Sequence, residues 1–152
     1  MRSRQLREIN RRNLQSLEKG KEEMSTHFEL CSEFMRAFGQ EVYSHPSIRD
    51  NETQELRYEL IREEVEELRE GLDKADLVEV ADALTDILYV VYGAGHAFGI
   101  DLDACFHEVH RSNMSKLAED GTVIKRADGK VLKGPNYSPP NLVPIILGPR
   151  KW

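Results

Sequence analysis

Leu56-Arg-Tyr-Glu-Leu60-Ile-Arg-Glu-Glu64-Val-Glu-Glu-Leu68-Arg-Glu-Gly-Leu72 is the most strongly patterned stretch of the chain. Leu56, Leu60, Ile61, Val65, Leu68 and Leu72 recur at the 3.6-residue period of an amphipathic helix, which the pattern predicts over residues 52–73, with Gly71 and Asp73 at a frayed end. With about 100° per residue and Leu60 at zero, the apolar stripe runs from about −40° at Leu56 to about 140° at Val65. Glu64 falls inside it at about 40°, Glu67 inside it at about −20°, and Glu63 just past the rim at about −60°. Two carboxylates one turn apart therefore face the core, where an uncompensated charge is costly.

The surrounding segments read as further helices. Phe28, Leu30, Phe34, Met35 and Phe38 suit a buried face on a helix from about Ser25 to Gly39, and Ser44 to Asn51, with Pro46, reads as a loop. After a turn at Gly71 to Asp76, a helix is predicted from about Ala75 to Phe98, with Gly99 as its terminating glycine. Asp101 is a good cap for another helix reaching about Asn113. Thr122–Lys125 and Lys130–Lys133 flank Arg126-Ala-Asp-Gly129 and predict a small β-hairpin. The proline-rich residues 134–152 predict an extended tail. The expected architecture is an all-α helical bundle with that hairpin and tail. Residues 1–23 form an N-terminal helical extension or arm, 24–141 the domain, and 142–152 the C-terminal tail.

Glu79, Asp82 and Asp86 lie within about 60° of one another on the second long helix. Between Val78 and Phe98 there is no Lys or Arg, and only His96 could become a cation. The pairs Glu64/Glu67 and Glu79/Asp82, each at i, i+3 spacing, can present oxygen ligands to one point between antiparallel helices. Such a set suits Mg²⁺, with Mn²⁺ as a substitute. Glu64, Glu67, Glu79 and Asp82 are the expected metal ligands. Glu63 and Glu64 are the candidate catalytic carboxylates, Glu63 as base or extra ligand. Asp86 is a further ligand or a carboxylate supporting the ligands from behind.

The remaining helix surface points to assembly. Leu84, Ile87, Leu88, Tyr89, Val90, Val91 and Tyr92 leave residues 83–98 almost no polar side. A helix apolar all round is normally buried all round, which a chain of 152 residues cannot easily manage alone. A homo-oligomer, dimer or tetramer, is expected. The net charge of −6 disfavours nucleic acid and anionic membranes, and no run of about 18 apolar residues exists to span a bilayer. Cys31 and Cys105 lack metal-ligand spacing and read as reduced core thiols. Arg2, Arg4, Arg7, Arg11 and Arg12 resemble a mitochondrial presequence, but Glu18, Lys19, Lys21, Glu22 and Glu23 return to a mixed-charge helix pattern, so the expected location is cytoplasmic.

Glu63-Glu64-Val65-Glu66-Glu67, then eleven residues, then Glu79-Val80-Ala81-Asp82 resembles the E-E-x-x-E…E-x-x-D signature of the all-α nucleoside triphosphate pyrophosphohydrolase superfamily. Tyr89-Val-Val-Tyr-Gly93, Glu108 to Lys116, and Asp128 to Tyr137 with Pro139-Pro140 narrow the resemblance to its MazG-like, phosphoribosyl-ATP-pyrophosphohydrolase-like branch, over roughly Phe28 to Asn141. It implies a helical oligomer, Mg²⁺ dependence, and hydrolysis of a nucleotide to the monophosphate and pyrophosphate.

A polyphosphate tail needs cations beyond a metal. Asn113 and Lys116 are the first choices, with Lys130 and Lys133, beside Lys125 and Arg126, as a possible lid. His27, Phe28 and Phe34 are candidates to hold a base. Two rivals stay open: a non-catalytic nucleotide-binding or sensing helical oligomer, and a purely structural helical dimer with a solvated acidic face.

Overall fold

The structure is a computed structural model, and it describes residues 25–148. The predicted arm at 1–23 and the last four residues of the tail lie outside them. The described residues are predominantly helical: α1 (His27–Ala37), α2 (Asn51–Asp73), α3 (Leu77–Phe98), α4 (Leu102–Met114) and the short α5 (Val143–Leu147).

The first four helices begin on side-chain caps, each worth about 1 kcal/mol. Thr26 and Glu29 form a reciprocal capping box on α1. Asp50 accepts from the Thr53 amide, Asp76 from the amides of Val78 and Glu79, and Asp101 from that of Ala104. Gly99 ends α3 in the left-handed conformation, φ 68°. Space also requires glycine there, since a Cβ would lie 2.3 Å from the His45 carbonyl oxygen. The loop before α2 folds over this end of α3. The amides of Tyr43 and Ser47 donate to the carbonyls of His96 and Phe98, and Arg49 Nε donates to that of Ala97. These bonds satisfy carbonyls the helix itself leaves open.

Helices α2 and α3 form an antiparallel hairpin through Lys74–Asp76. Gly71 does not fray, contrary to expectation: it is buried inside α2, where a Cβ would meet the Val80 backbone nitrogen at 3.1 Å. Missing side-chain bulk at Gly71 is what lets the two backbones approach. At the other end Arg57 reaches Gly93. Helix α1 lies across α3, where Phe28 stacks on His96 at 3.7 Å between centroids and Phe34 meets Tyr89 edge-on at 5.4 Å. Cys31 and Cys105 are buried free thiols, as expected.

The expected hairpin is reduced to one antiparallel bridge, Lys125 with Val131, closed by a turn at Gly129. Its apolar residues remain open to solvent, and a two-stranded ribbon with no covered face is marginal in water. Nor is the tail extended throughout. Residues 134–141 fold back along α4: the Ser138 amide donates to Ser115 Oγ, Arg111 to the Pro139 carbonyl, and the Asn141 amide to Glu108 Oε1. Pro144 then sits in the first turn of α5, where its missing N–H costs nothing. Among the described residues no helix is long and apolar enough to cross a membrane.

His96 is the buried titratable group that ties α3 to α1. Its Nε2 lies 2.7 Å from the Phe28 carbonyl oxygen, so the neutral ring donates there. Burial lowers its pKa, opposed by the Phe28 bond; Arg36 lowers it further, and Asp103 and Asp101 raise it. With a folded value below the unfolded one of about 6.5, His96 leaves stability intact above that pH and erodes it as pH falls through the folded value. Thermal melts between pH 7.5 and 5 should therefore show a loss of stability on acidification that is smaller in His96→Gln. An equal loss in both proteins would mean that His96 protonates freely in the fold.

Candidate functional site

The register of α2 against α3 brings the acidic residues together. Arg57 lies against Gly93, Glu64 follows Arg57 by seven residues, and Asp86 precedes Gly93 by seven. Two turns along each helix, Glu64 and Asp86 therefore face one another. The less exposed face of α2 carries Arg57, Leu60, Ile61, Glu64, Leu68 and Gly71, and that of α3 carries Val80, Ala83, Asp86, Ile87 and Val90. Polar groups thus occupy the middle of the seam rather than its edge.

Glu64 stands at the centre of the acidic group. Its pKa is raised by burial and then by repulsion from Glu67, Asp86, Glu63 and Asp82. Among the described residues no Lys, Arg or His forms an ion pair with any of these five. Glu66 is different, as its helix angle implies: it pairs with Arg62 on the outer surface. Glu79 sits at the turn, and Lys74 Nζ lies 3.1 Å from its carboxylate. Glu79 is the one expected ligand already holding a cation.

As they stand, no three described His, Cys, Asp or Glu side chains converge closely enough to grip a metal ion. The donor set nevertheless fits a hard divalent cation: its groups are all carboxylate, on facing helices, and among the described residues only Glu79 is paired with a protein cation.

The other expected groups are distributed unevenly. Lys116 Nζ donates to Asn113 Oδ1 at 2.7 Å, so these two act together at the end of α4. Lys133 lies over the Tyr137 ring, 4.3 Å from its centroid, and Lys130 is exposed beside the turn. Phe28 is committed to packing against His96 and Tyr92. His27 lines a cavity of about 430 Å³ between α1 and α3, with Leu30, Leu88 and Tyr92. Phe34 lines a different cavity of about 390 Å³, which reaches from Arg57 to Asp86.

Arg57 is absent from the sequence-derived site. It falls at about 60° on the helical wheel, in the middle of the α2 apolar stripe. The angular test that singles out Glu64 would also have found it.

A family model for phosphoribosyl-ATP pyrophosphohydrolase matches residues 31–113, more than half of the chain. The chain belongs to that family. The match takes in α2, α3 and all of the carboxylates above, and stops at Asn113, short of Lys116 and the hairpin lysines. An uncharacterized protein of Acanthamoeba polyphaga mimivirus is 45% identical over 103 residues, 65% of this chain and 39% of that protein. The chain thus spans well under half the length of this relative.

Repulsion around Glu64 has a direct consequence for stability. A carboxyl whose folded pKa lies above the unfolded value destabilises the fold once pH has risen through that folded value. At pH 7.5 in a chelator, Glu64→Gln should therefore melt higher than the wild type. A lower melting temperature would mean that the carboxylates are mutually solvated rather than crowded.

Proposed function

We propose that this member of a pyrophosphohydrolase family hydrolyses a nucleoside triphosphate, or a related nucleotide, to the monophosphate and pyrophosphate, with Mg²⁺ held by Glu64, Glu67, Glu79 and Asp82. The observation that carries the proposal is the group of four carboxylates crowded around Glu64, none of the five paired with a cation among the described residues. Bound there, Mg²⁺ or Mn²⁺ supplies the charge neutralisation that phosphoanhydride cleavage requires.

The chain's own residues supply position and proton transfer. Glu79 would hold the metal after giving up its ion pair with Lys74, whose side chain is exposed. Asp86 keeps Glu64 turned along the seam. Glu63, on the solvent rim of α2, takes the proton from the incoming water as its oxygen bonds to phosphorus and the bridging phosphoanhydride bond breaks. Asn113 and Lys116 hold the departing pyrophosphate, whose negative charge grows in the transition state.

The test is pyrophosphate release across the ribo- and deoxynucleoside triphosphates, with Mg²⁺ and with chelator. Glu64→Gln and Asp82→Asn should each lower kcat/KM by on the order of 100-fold or more while remaining folded. Near wild-type turnover in either variant would overturn the ligand set. Nucleotide binding without released pyrophosphate would favour a sensor.

The assembly belongs to the same proposal. Leu30, Leu84 and Leu88 form an apolar patch on α1 and α3 and are 46%, 48% and 52% exposed in the single chain. The proposed homo-oligomer, dimer or tetramer, covers that patch. Light scattering at micromolar concentration should give a multiple of 17.5 kDa; a monomer mass would overturn it.

A further inference from the structure

We propose that α4 docks on a second copy of the chain and delivers Asn113 and Lys116 to the partner's carboxylates, so that the phosphate-holding cation and the metal ligands of one site come from different subunits. What the shared site does rests on the pyrophosphohydrolase proposal above; the docking itself rests on the geometry of α4.

Two sides of α4 differ. At about 100° per residue, with Phe106 at zero, Glu108, Arg111 and Ser115 fall between about 140° and 200°. That side is occupied by the chain's own residues 138–141. Ser115 Oγ accepts from the Ser138 amide, Arg111 donates to the Pro139 carbonyl, and Glu108 accepts from the Asn141 amide and from Arg111. On the opposite side Phe106, Val109 at about −60° and Asn113 at about −20° form a stripe at i, i+3, i+7, with Lys116 one turn further. Among the described residues this stripe is left open: Phe106 is 72% exposed, and Val109 and Asn113 are exposed beside it. Apolar anchors at this spacing are what a helix uses to lie in a partner's groove.

The polar end of the stripe does not return to the carboxylates of its own chain. Helix α4 starts where Leu102 packs against Gly95, at the end of α3 remote from Asp82. Asp82 precedes Gly95 by thirteen residues and Asn113 follows Leu102 by eleven, or about 19.5 Å and 16.5 Å along the two helices. Only a helix folded back along α3 would bring these points together. The helices that lie along one another are α2 with α3 and α1 with α3, and α4 leaves the corner without following either. Half-buried Lys116 accordingly has Asn113 Oδ1 as its partner, at 2.7 Å, and no acid among the described residues.

A second copy supplies what both ends of the stripe lack. Leu84 and Leu88 stand about half exposed on α3, and Asp82 precedes Leu88 by six residues, or about 9 Å. Phe106 and Asn113 are seven residues apart, or about 10.5 Å. With α4 antiparallel to the neighbouring α3 and Phe106 against the partner's Leu88, Asn113 and Lys116 therefore come to the partner's Asp82. Apolar area is buried at one end and opposite charges meet at the other. Two-fold symmetry makes the exchange reciprocal, so each chain completes the other's site.

Carbodiimide cross-linking of the full-length wild type reads this pairing without turnover. In the two-chain band of a denaturing gel, Lys116 should be joined to Asp82 or a neighbouring carboxylate of α2 and α3. The same linkage in the one-chain band, or no such linkage, overturns the docking while leaving the hydrolase standing. Phe106→Glu changes a side chain exposed in the single chain and should abolish the two-chain product; an unchanged yield would mean that this face is not the one that docks. Activity supplies a second readout. Glu64→Gln, and a chain carrying both Asn113→Ala and Lys116→Ala, should each be impaired at least about 30-fold alone. Co-expressed, they should regain about a quarter of wild-type pyrophosphate release, since half the sites have intact carboxylates and half of those an intact lysine from the partner. Release no higher than the mean of the two parents would place the whole site in one chain and overturn the proposal. A wild type that cross-links between chains but releases no pyrophosphate sustains the docking and sinks the hydrolase instead.

Discussion

Close approach of α2 and α3 around a charged centre is the constraint from which the rest of the structure follows. Two helices joined by three residues must pack antiparallel, and here their seam is not simply apolar. Gly71 and Gly93 remove bulk near its two ends, while Glu64, Asp86 and Arg57 occupy its length. Like charges at the centre repel, and the helices stay together because apolar contacts on either side hold them. Such an arrangement gives up stability to bring like charges onto facing helices.

Electrostatic character changes along the seam. Near the turn, Lys74 neutralises Glu79. At the middle, Glu64 and its neighbours pair with no cation among the described residues. Near Gly93, Arg57 forms no ion pair among the described residues. Direct pairing of Arg57 with Asp86 would erase this order, and the two remain apart although they line one cavity.

Much of this is legible in the sequence because it depends on local rules. Asp101 caps its helix where the pattern places a cap, Asp50 and Asp76 cap helices that start within about two residues of the expected positions, and the 3.6-residue period identifies Glu64 as inward-facing, although Glu67, placed inward by the same angles, is exposed. What escapes depends on neighbours distant in sequence. Gly71 looks like a helix terminator until Val80 is seen beside it. Arg57 looks like one of many surface arginines until the α1 residues Cys31 and Met35 close around it. Thr122 to Lys133 has strand-like residues on both arms, but no third element among the described residues covers them, and a single bridge forms. Phe28 and Phe34 share one helix and similar spacing, yet His96 takes the first ring and the cavity takes the second.

The width of the α2 stripe carries the last step. Leu56, Val65 and Leu72 belong to the apolar pattern, yet each is about half exposed, because the face actually covered by α3 is narrower and centred on Arg57, Glu64 and Leu68. Helix α3 is likewise covered along Ala83, Val90 and Ala97 and open at Leu84 and Leu88. Each helix therefore has a polar-centred seam turned inward and apolar flanks turned outward. In a chain meant to remain alone, selection for solubility would move the charges to the flanks and the leucines to the seam. The inverse arrangement is physically sensible if the flanks are buried against further copies. Stability lost in crowding charges around Glu64 is then recovered from apolar area outside the subunit, and the proposed active site and the proposed oligomer become two sides of one compromise.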